Sequence, residues 1–400
     1  MGRPLRSYLT PALRRTDPFT TMINPWHDRI RQAYAPAIGK RCEELVTPAL
    51  ILDLATLRRN IASMAGRLNG GLVKLRPHVK GTKCVELARL QIEAGAIGVC
   101  TATVWEAIVM GRAGIADVLV ANQVGGTDKI RALAAEAKIS RFTVAIDDRR
   151  NARDLNAALG AVGAKLEVLI EVDVGMGRGG VRSIADAVAL ARHVAKLPHL
   201  RLRGVQGYEG HCMLEPDPAE RNRQATAAIQ LLVEAVDQLG RAGFACEVVS
   251  AGGTGTYNIT GLNPRVTELQ AGSYVFMDNF HGNLVPGFEP ALTVLGTVVI
   301  QHGRTLVLDA GRKSVGIDFA LPTLRDYPFY TARFFAEEHA LFDIDERCRL
   351  QLGDTAALVA GYAPTTVNLH DVYHVVKNGR VVDVWPVFPR GPGHAGLIAS

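Results

Sequence analysis

A lysine closes the stretch Lys74-Leu75-Arg76-Pro77-His78-Val79-Lys80, and it is the first residue with chemistry to offer. Leu72, Val73 and Leu75 lead into it as an apolar strand over 72–79. Gly81 and Thr82 break the pattern, and a helical one starts at Cys84 with Val85, Leu87, Leu90 and Ile92. A lysine at the carboxyl end of the first strand of a βα series points into the mouth where α/β folds bind ligands. A buried lysine amine is readily deprotonated and attacks carbonyl carbons. Lys80 is therefore a candidate Schiff-base lysine, with His78 beside it as a second catalytic candidate. Further along, Asp173-Val174-Gly175-Met176-Gly177 delivers Arg178, and Gln206, Tyr208, Glu209 and His211 follow another apolar run. Ser250-Ala251-Gly252-Gly253-Thr254-Gly255-Thr256 offers successive unobstructed N–H groups and hydroxyls, which is how a backbone cradles phosphate. Gln270-Ala271-Gly272-Ser273-Tyr274 is a second turn of small residues. Singly, each has an ordinary reading: a solvated lysine, a surface arginine, a rim tyrosine, a glycine turn. Jointly, an imine-forming lysine and a phosphate cradle are what pyridoxal phosphate requires.

The elements that must position these groups follow from the apolar pattern. Runs at 72–79, 96–100, 117–121, 142–147, 167–173, 202–206, 246–250 and 267–270 alternate with helical stretches. Alternation of this kind predicts a parallel sheet, and eight units predict a closed (β/α)8 TIM barrel with its site at the strand ends. After residue 285 the texture turns β-like, with Leu292–Gln301, Thr305–Asp309, Gln351–Ala360 and Val372–Asp383 separated by Gly-containing or charged turns. The expected organisation is an N-terminal extension and leader over 1–45, a barrel over 46–285 and an all-β domain over 286–400. The strand near 47–53, with Pro48 at its entry, joins the last.

Composition narrows the function. The chain has 400 residues, 48% hydrophobic and 21% charged, which suits a globular protein with a large core. Lys plus Arg number 45 against 39 Asp plus Glu, a modest surplus partly gathered in Arg3, Arg6, Arg14 and Arg15. No basic run is interleaved with aromatics, so nucleic acid is not the expected partner; a small anionic ligand is. The six cysteines (Cys42, Cys84, Cys100, Cys212, Cys246 and Cys348) are scattered without zinc spacing and read as reduced thiols, so the expected location is cytoplasmic. No apolar run is long enough to span a membrane. Residues 1–21 are Arg-rich with three prolines and read as an over-extended start, with Met22 a plausible first residue, in preference to a transit-like segment; either way they are expected to be poorly ordered.

The ordered motifs carry a resemblance. Thr47-Pro48-Ala49-Leu50, Arg76 to Lys80, Gly98-Val99-Cys100, Asp173 to Arg178, Gly204 to Tyr208, Gly252 to Gly255 and Glu268 to Asp278 all contribute. Asp309-Ala310-Gly311, Glu338-His339 and Val367-Asn368-Leu369-His370-Asp371 extend it, so that it covers about residues 46–390. The chain resembles the D-threonine aldolase / D-serine dehydratase-like family of fold-type III pyridoxal-phosphate enzymes, related to the alanine racemase barrel. The resemblance implies that Lys80 holds the cofactor, that Arg178 approaches the pyridine nitrogen, and that Tyr208 lines the ring. It implies that Gly252, Gly253, Thr254, Gly272, Ser273 and Tyr274 bind the phosphate. An arginine stays protonated and cannot fully protonate the ring. It also implies a homodimer and a lyase that splits a β-hydroxy-D-amino acid into glycine and an aldehyde. Dehydration of D-serine or 3-hydroxyaspartate, racemisation on the same site, and a non-catalytic cofactor-binding protein are the alternatives.

One departure bears on mechanism. Family members carry a His-x-Asp or His-x-Cys metal pair ahead of the Thr-Val-Asn segment, where a divalent ion polarises the substrate β-hydroxyl. Here those positions are Tyr362 and Pro364, and neither is a convincing ligand. The expectation is a retained cofactor site without a metal, the β-hydroxyl being served by another base, with His211, Tyr362, His370 and His374 as candidates. A second departure places Ala102 where aldolase relatives tend to have glutamine, with the bulky Trp105 nearby.

Overall fold

Among the described residues, nine strands form one mixed sheet and eight parallel strands form a ring. The computed structural model describes residues 25–394 and residue 397, so the expectations for residues 1–21 lie outside the described residues. The leader enters as a helix, Pro25–Tyr34, tied to the last strand of the chain by an Arg31–Asp383 ion pair at 2.8 Å. Strand β1 (Ala49–Asp53) follows. Its Asp53 caps the next helix, Leu54–Leu68, by accepting from the Thr56 N–H.

The ring comprises β2 (Lys74–Leu75), β3 (Val99–Thr101), β4 (Asp117–Val120), β5 (Arg141–Ile146), β6 (Leu166–Glu171), β7 (Leu200–Gly207), β8 (Val248–Ala251) and β9 (Glu268–Leu269). Hydrogen bonding runs β2-β9-β8-β7-β6-β5-β4-β3, every neighbouring pair parallel. A parallel bridge between His78 and Cys100 closes the remaining gap, with the Cys100 N–H on Pro77 O at 2.8 Å and the Ile97 N–H on Leu75 O at 2.9 Å. The eight-unit barrel is therefore present. Helices cover most of it from outside, the longest being Pro218–Arg241. Val144, Val168 and Val205 are fully buried within it.

The first barrel strand differs from expectation. It is two residues long rather than eight, Leu72 is exposed, and Lys80 sits in a 3₁₀ turn, Val79–Gly81, rather than at a strand end. Pro77 is the physical reason: it has no N–H to give to a ladder, and the chain leaves the sheet there.

The second sheet takes β1, β10 (Leu292–His302), β11 (Thr305–Leu308), β12 (Thr323–Leu324), β13 (Tyr327–Phe335), β14 (Ala340–Asp343), β15 (Thr355–Val359), β16 (Val372–Lys377) and β17 (Arg380–Pro386). Strand β1 lies between β10, antiparallel, and β16, parallel, so the early strand belongs to the late sheet. The expected run Val372–Asp383 is a hairpin, turned at Asn378-Gly379, both at positive φ, as the type I′ geometry of such dipeptides demands. Strands β12 to β14 were not expected. They bulge in register and leave Phe329 and Phe334 exposed, which hides the period-two signal. Among the described residues no helix is long and apolar enough to cross a membrane.

Candidate active site

The turn after β2 is held so that one side chain leaves it. His78 caps the turn, its Nδ1 accepting the Lys80 N–H at 3.4 Å, and Val79 O accepts from the N–H groups of Thr82 and Lys83. Lys83, at positive φ, points the other way and pairs with Glu106 at 2.8 Å. Lys80 is left to enter a cavity of about 300 Å³ at the carboxyl ends of the barrel strands. His78, Arg178, Tyr208, Gly252, Gly253, Thr254, Gly272 and Ser273 line the same cavity. Residues predicted from five separate places in the chain thus converge.

The electrostatics suit a nucleophilic amine. Protein crowds Lys80 on most sides while its side chain still faces the open cavity. That crowding, then the Arg178 charge, pulls its pKa below the usual lysine value, with Glu106 opposing. His78 is likewise pushed well below the usual histidine range, first by burial and then by Lys80 and Arg178, so it stays neutral. The Lys80 Nζ lies 5.5 Å from the centre of the Tyr208 ring and the Arg178 guanidinium 5.8 Å from the same centre, so the two cations share one aromatic face or edge. Burial raises the Tyr208 hydroxyl above its ordinary range. Behind Arg178, at 3.7 Å, Glu171 is raised by burial despite that charge. It accepts from Gln123 at 2.7 Å and Gln206 at 3.1 Å.

The glycine loops form a cradle. Glu209, fully buried, accepts the Gly252 N–H at 3.1 Å and the Thr256 hydroxyl at 2.8 Å, and also the Thr260 hydroxyl, which fixes the loop after β8. Thr254 Oγ1 accepts the Tyr274 N–H at 3.1 Å and so joins the two loops. The N–H groups of Thr254, Gly272 and Ser273 meet no acceptor among the described residues and remain available to a ligand oxygen. A Cβ on Gly253 would stand 3.2 Å from the Tyr208 ring, and one on Gly272 would collide with the His78 carbonyl oxygen. Small residues are required where the backbone must come this close. An amine of lowered pKa, an aromatic wall, an arginine and a triad of free N–H donors fit pyridoxal phosphate as a donor set.

Some expected residues lie elsewhere. Tyr274 contributes only its backbone; its side chain is buried in the core, the hydroxyl accepting from Gln91 at 2.8 Å. His211 does not line the cavity: its ring packs on Gly175, and its buried Nδ1 has no partner among the described residues. His370 donates to Ser314 O at 2.7 Å and His374 to Leu50 O at 3.2 Å, both away from the cavity. Ala102 is spent on a turn, its N–H bound to Glu106 at 2.8 Å, and Trp105 is buried against His394. Tyr362 and Pro364 do line the cavity, Pro364 lying against Gly81.

A group that the sequence reading passed over sits beside them. Phe280, His281 and Phe319 share the cavity wall with Tyr362. Phe280 and Phe319 are stacked at 4.9 Å, and the His281 ring lies parallel to that of Tyr362 at 5.7 Å. The signal available was the spacing Asp278-x-x-His281, an N-cap carboxylate three residues before an imidazole. No cluster of three or more metal-binding side chains occurs among the described residues, and a proline and a tyrosine do not fit the donor set of a divalent-ion site.

Comparison with known proteins identifies relatives of the whole chain. Residues 52–280 match the family described as alanine racemase, N-terminal domain, and residues 291–376 the putative serine dehydratase domain. The chain is 35% identical over 351 residues to a D-threonine aldolase of Arthrobacter sp, covering 86% of this chain and 93% of that one. It is 38% identical over 375 residues to a 3-hydroxy-D-aspartate aldolase of Paracoccus denitrificans (strain Pd 1222), covering 90% and 96%. The crystal structure of D-threonine aldolase from Filomicrobium marinum superposes with a TM-score of 0.85 at 36% identity, covering 88% of this chain and 97% of that one.

Proposed function

The chain belongs to the family of fold-type III pyridoxal-phosphate lyases with the D-threonine and 3-hydroxy-D-aspartate aldolases, and from that premise we propose how its own residues work. The reaction is cleavage of a β-hydroxy-D-amino acid to glycine and an aldehyde, without a divalent metal. The observation that carries this is the convergence of Lys80, Arg178, Tyr208 and the free N–H groups of Thr254, Gly272 and Ser273 on one cavity. When bound, pyridoxal phosphate supplies the conjugated electron sink for the pair released as the Cα–Cβ bond breaks.

The protein supplies the rest. Lys80 attaches the cofactor, and its lowered pKa keeps a larger share of the amine neutral and nucleophilic. The loops after β8 and β9 hold the phosphate, and Glu209 holds the first of those loops. Tyr208 and Arg178 would line the side of the cavity that takes the cofactor ring, where a permanently protonated guanidinium would limit proton transfer to the ring nitrogen. His78, kept neutral, positions Lys80 through the turn. The stacked Phe280 and Phe319, with Tyr362, give the substrate side of the cavity an apolar, aromatic wall. That wall favours an apolar or aryl β-substituent over a carboxylate. The reading includes a homodimer, supported by the exposed Phe319 on the cavity wall and the exposed Leu321 two residues on, which a second copy would cover.

The test is product analysis on the reconstituted protein with D-threonine and D-phenylserine. Glycine plus the aldehyde is expected. A keto acid with ammonia would replace the reading by dehydration, solvent deuterium at Cα without cleavage by racemisation, and no spectral response to any amino acid by cofactor binding alone.

A further inference from the structure

His281 and Asp278 form a hydrogen-bonded dyad at the cavity wall. Asp278 is fully buried. Its Oδ1 accepts both the His281 N–H at 2.7 Å and the His281 ring Nδ1–H at 2.8 Å, and its Oδ2 accepts the Ala363 N–H at 2.7 Å. A carboxylate on Nδ1 fixes the tautomer, so the lone pair of neutral imidazole is on Nε2. Among the described residues Nε2 has no hydrogen-bond partner, yet it is not one of the sealed, unpartnered atoms, and His281 lines the cavity. The ring is clamped parallel to Tyr362, whose hydroxyl is itself pushed up to about 12, first by burial and then by Asp278 and Asp318, and so stays protonated. Of the imidazoles considered, His211, His370 and His374 are turned away from the cavity, and His78 is spent on the Lys80 turn.

We infer that Nε2 of His281 is the base that takes the substrate β-hydroxyl proton, with Asp278 as its positioning residue. This rests on the aldolase reading above. The proton passes from the β-oxygen to Nε2, and the O–H pair becomes the second C–O bond of the departing aldehyde. The Cα–Cβ pair stays with the Cα fragment, in the electron sink that the bound cofactor supplies. Cα then takes one proton and leaves as glycine, and His281 returns its proton to solvent. No oxidant or further reactant is needed. The Ala363 N–H bond couples the dyad to the Tyr362–Pro364 segment, so the base stands against the place where relatives are expected to hold a metal.

The test uses the holoenzyme and the variants His281→Ala, His281→Asn and Asp278→Asn, each with cofactor absorbance and melting temperature as folding controls. Cleavage is expected to fall about 10²–10⁴-fold in His281→Ala, the range of general-base catalysis, with partial return on added imidazole. Exchange of the glycine α-hydrogen with D2O needs no β-hydroxyl base and is expected to persist in both His281 variants. Equilibrium binding gives a readout apart from turnover: wild type is expected to hold D-serine more tightly than D-alanine, and His281→Ala to lose that preference. Cleavage within a few-fold of wild type in His281→Ala overturns the inference. So does loss of glycine exchange along with cleavage, since that assigns His281 to Cα or cofactor chemistry. Absence of cleavage in wild type overturns the aldolase reading instead.

Discussion

Arg76 and Glu268, both almost fully buried, meet at 2.9 Å across the β2–β9 seam of the barrel. Arg76 also pairs with Asp117 at 2.9 Å beyond the opposite edge of β2, so one guanidinium spans the point where the ring closes. The arginine heads the segment that carries His78 and Lys80, yet it does no chemistry. Removing one partner of a buried pair strands the other charge. Arg76→Ala is therefore expected to destabilise the fold by about 3–5 kcal/mol. Arg76→Met combined with Glu268→Leu removes the two buried charges, leaving only the partly exposed Asp117 without its arginine, and is expected to recover part of that loss. Chemical denaturation of the two variants checks this. Equal destabilisation of single and double variants would show that the charges are not the cause.

The Lys80 amine gives a pH dependence with a definite sign. Burial lowers its pKa, then Arg178, while Glu106 and Cys100 pull upward and His78 beside it stays neutral. A neutral amine is the reactive form, so the rate at which the apoprotein captures cofactor should reach its plateau below the ordinary lysine value of 10.5. Arg178→Met removes a lowering charge and is expected to move that plateau to higher pH. Stopped-flow absorbance against pH measures both. A wild-type rate that keeps rising through the ordinary value excludes a depressed amine.

Glu209 offers two acceptor oxygens to three donors. Glu209→Gln replaces the carboxylate by a neutral amide: its carbonyl can keep the Gly252 N–H, but its NH2 then meets the Thr256 and Thr260 hydroxyls, which must accept where they now donate. Losing the charge-assisted bonds costs about 1–3 kcal/mol. The cost should fall on the phosphate loop, as cofactor affinity weaker by about tenfold or more. Fluorescence titration of the apoprotein reads it. Unchanged affinity with a lowered melting temperature would confine Glu209 to fold stability.

Loss of the metal is a prediction in its own right. Purified protein is expected to contain no stoichiometric divalent ion by mass spectrometry, and cleavage is expected to survive EDTA. Tyr362→His with Pro364→Asp restores a donor pair of the family kind and is expected to introduce a response to added Mn²⁺. An EDTA-sensitive wild type would remove the reason for a protein-only base.

The barrel was readable because strands buried on both faces are continuous apolar runs, which periodicity detects. Lys80, Arg178 and the two glycine loops were readable because active sites of such barrels sit just past the strands. Strand β2 was misjudged because a ladder ends where Pro77 has no N–H to give. Strands β12 to β14 were missed because Phe329 and Phe334 face outward and the register shifts. His281 was missed for a different reason. It lies in a four-residue helix with no periodicity to mark it, and its partner Asp278 reads as an ordinary N-cap until the structure places the ring against Tyr362.

The aromatic wall predicts substrate preference. Phe319 is 63% exposed, at positive φ, yet stacks on Phe280 and meets Tyr362 edge-on at 5.0 Å. A bulky residue held in the left-handed region is costly, and what it gains here is a ring over the cavity mouth. An aryl β-substituent can join that stack, and aromatic pairs contribute about 0.5–1.5 kcal/mol beyond area burial. Phe319→Gly relaxes the backbone and deletes the ring together. It is expected to lower kcat/KM for D-phenylserine by about tenfold while changing D-threonine little, since a methyl group does not reach for the stack. If both substrates fall equally, Phe319 shapes the cavity as a whole. If neither falls, the β-substituent binds against another wall.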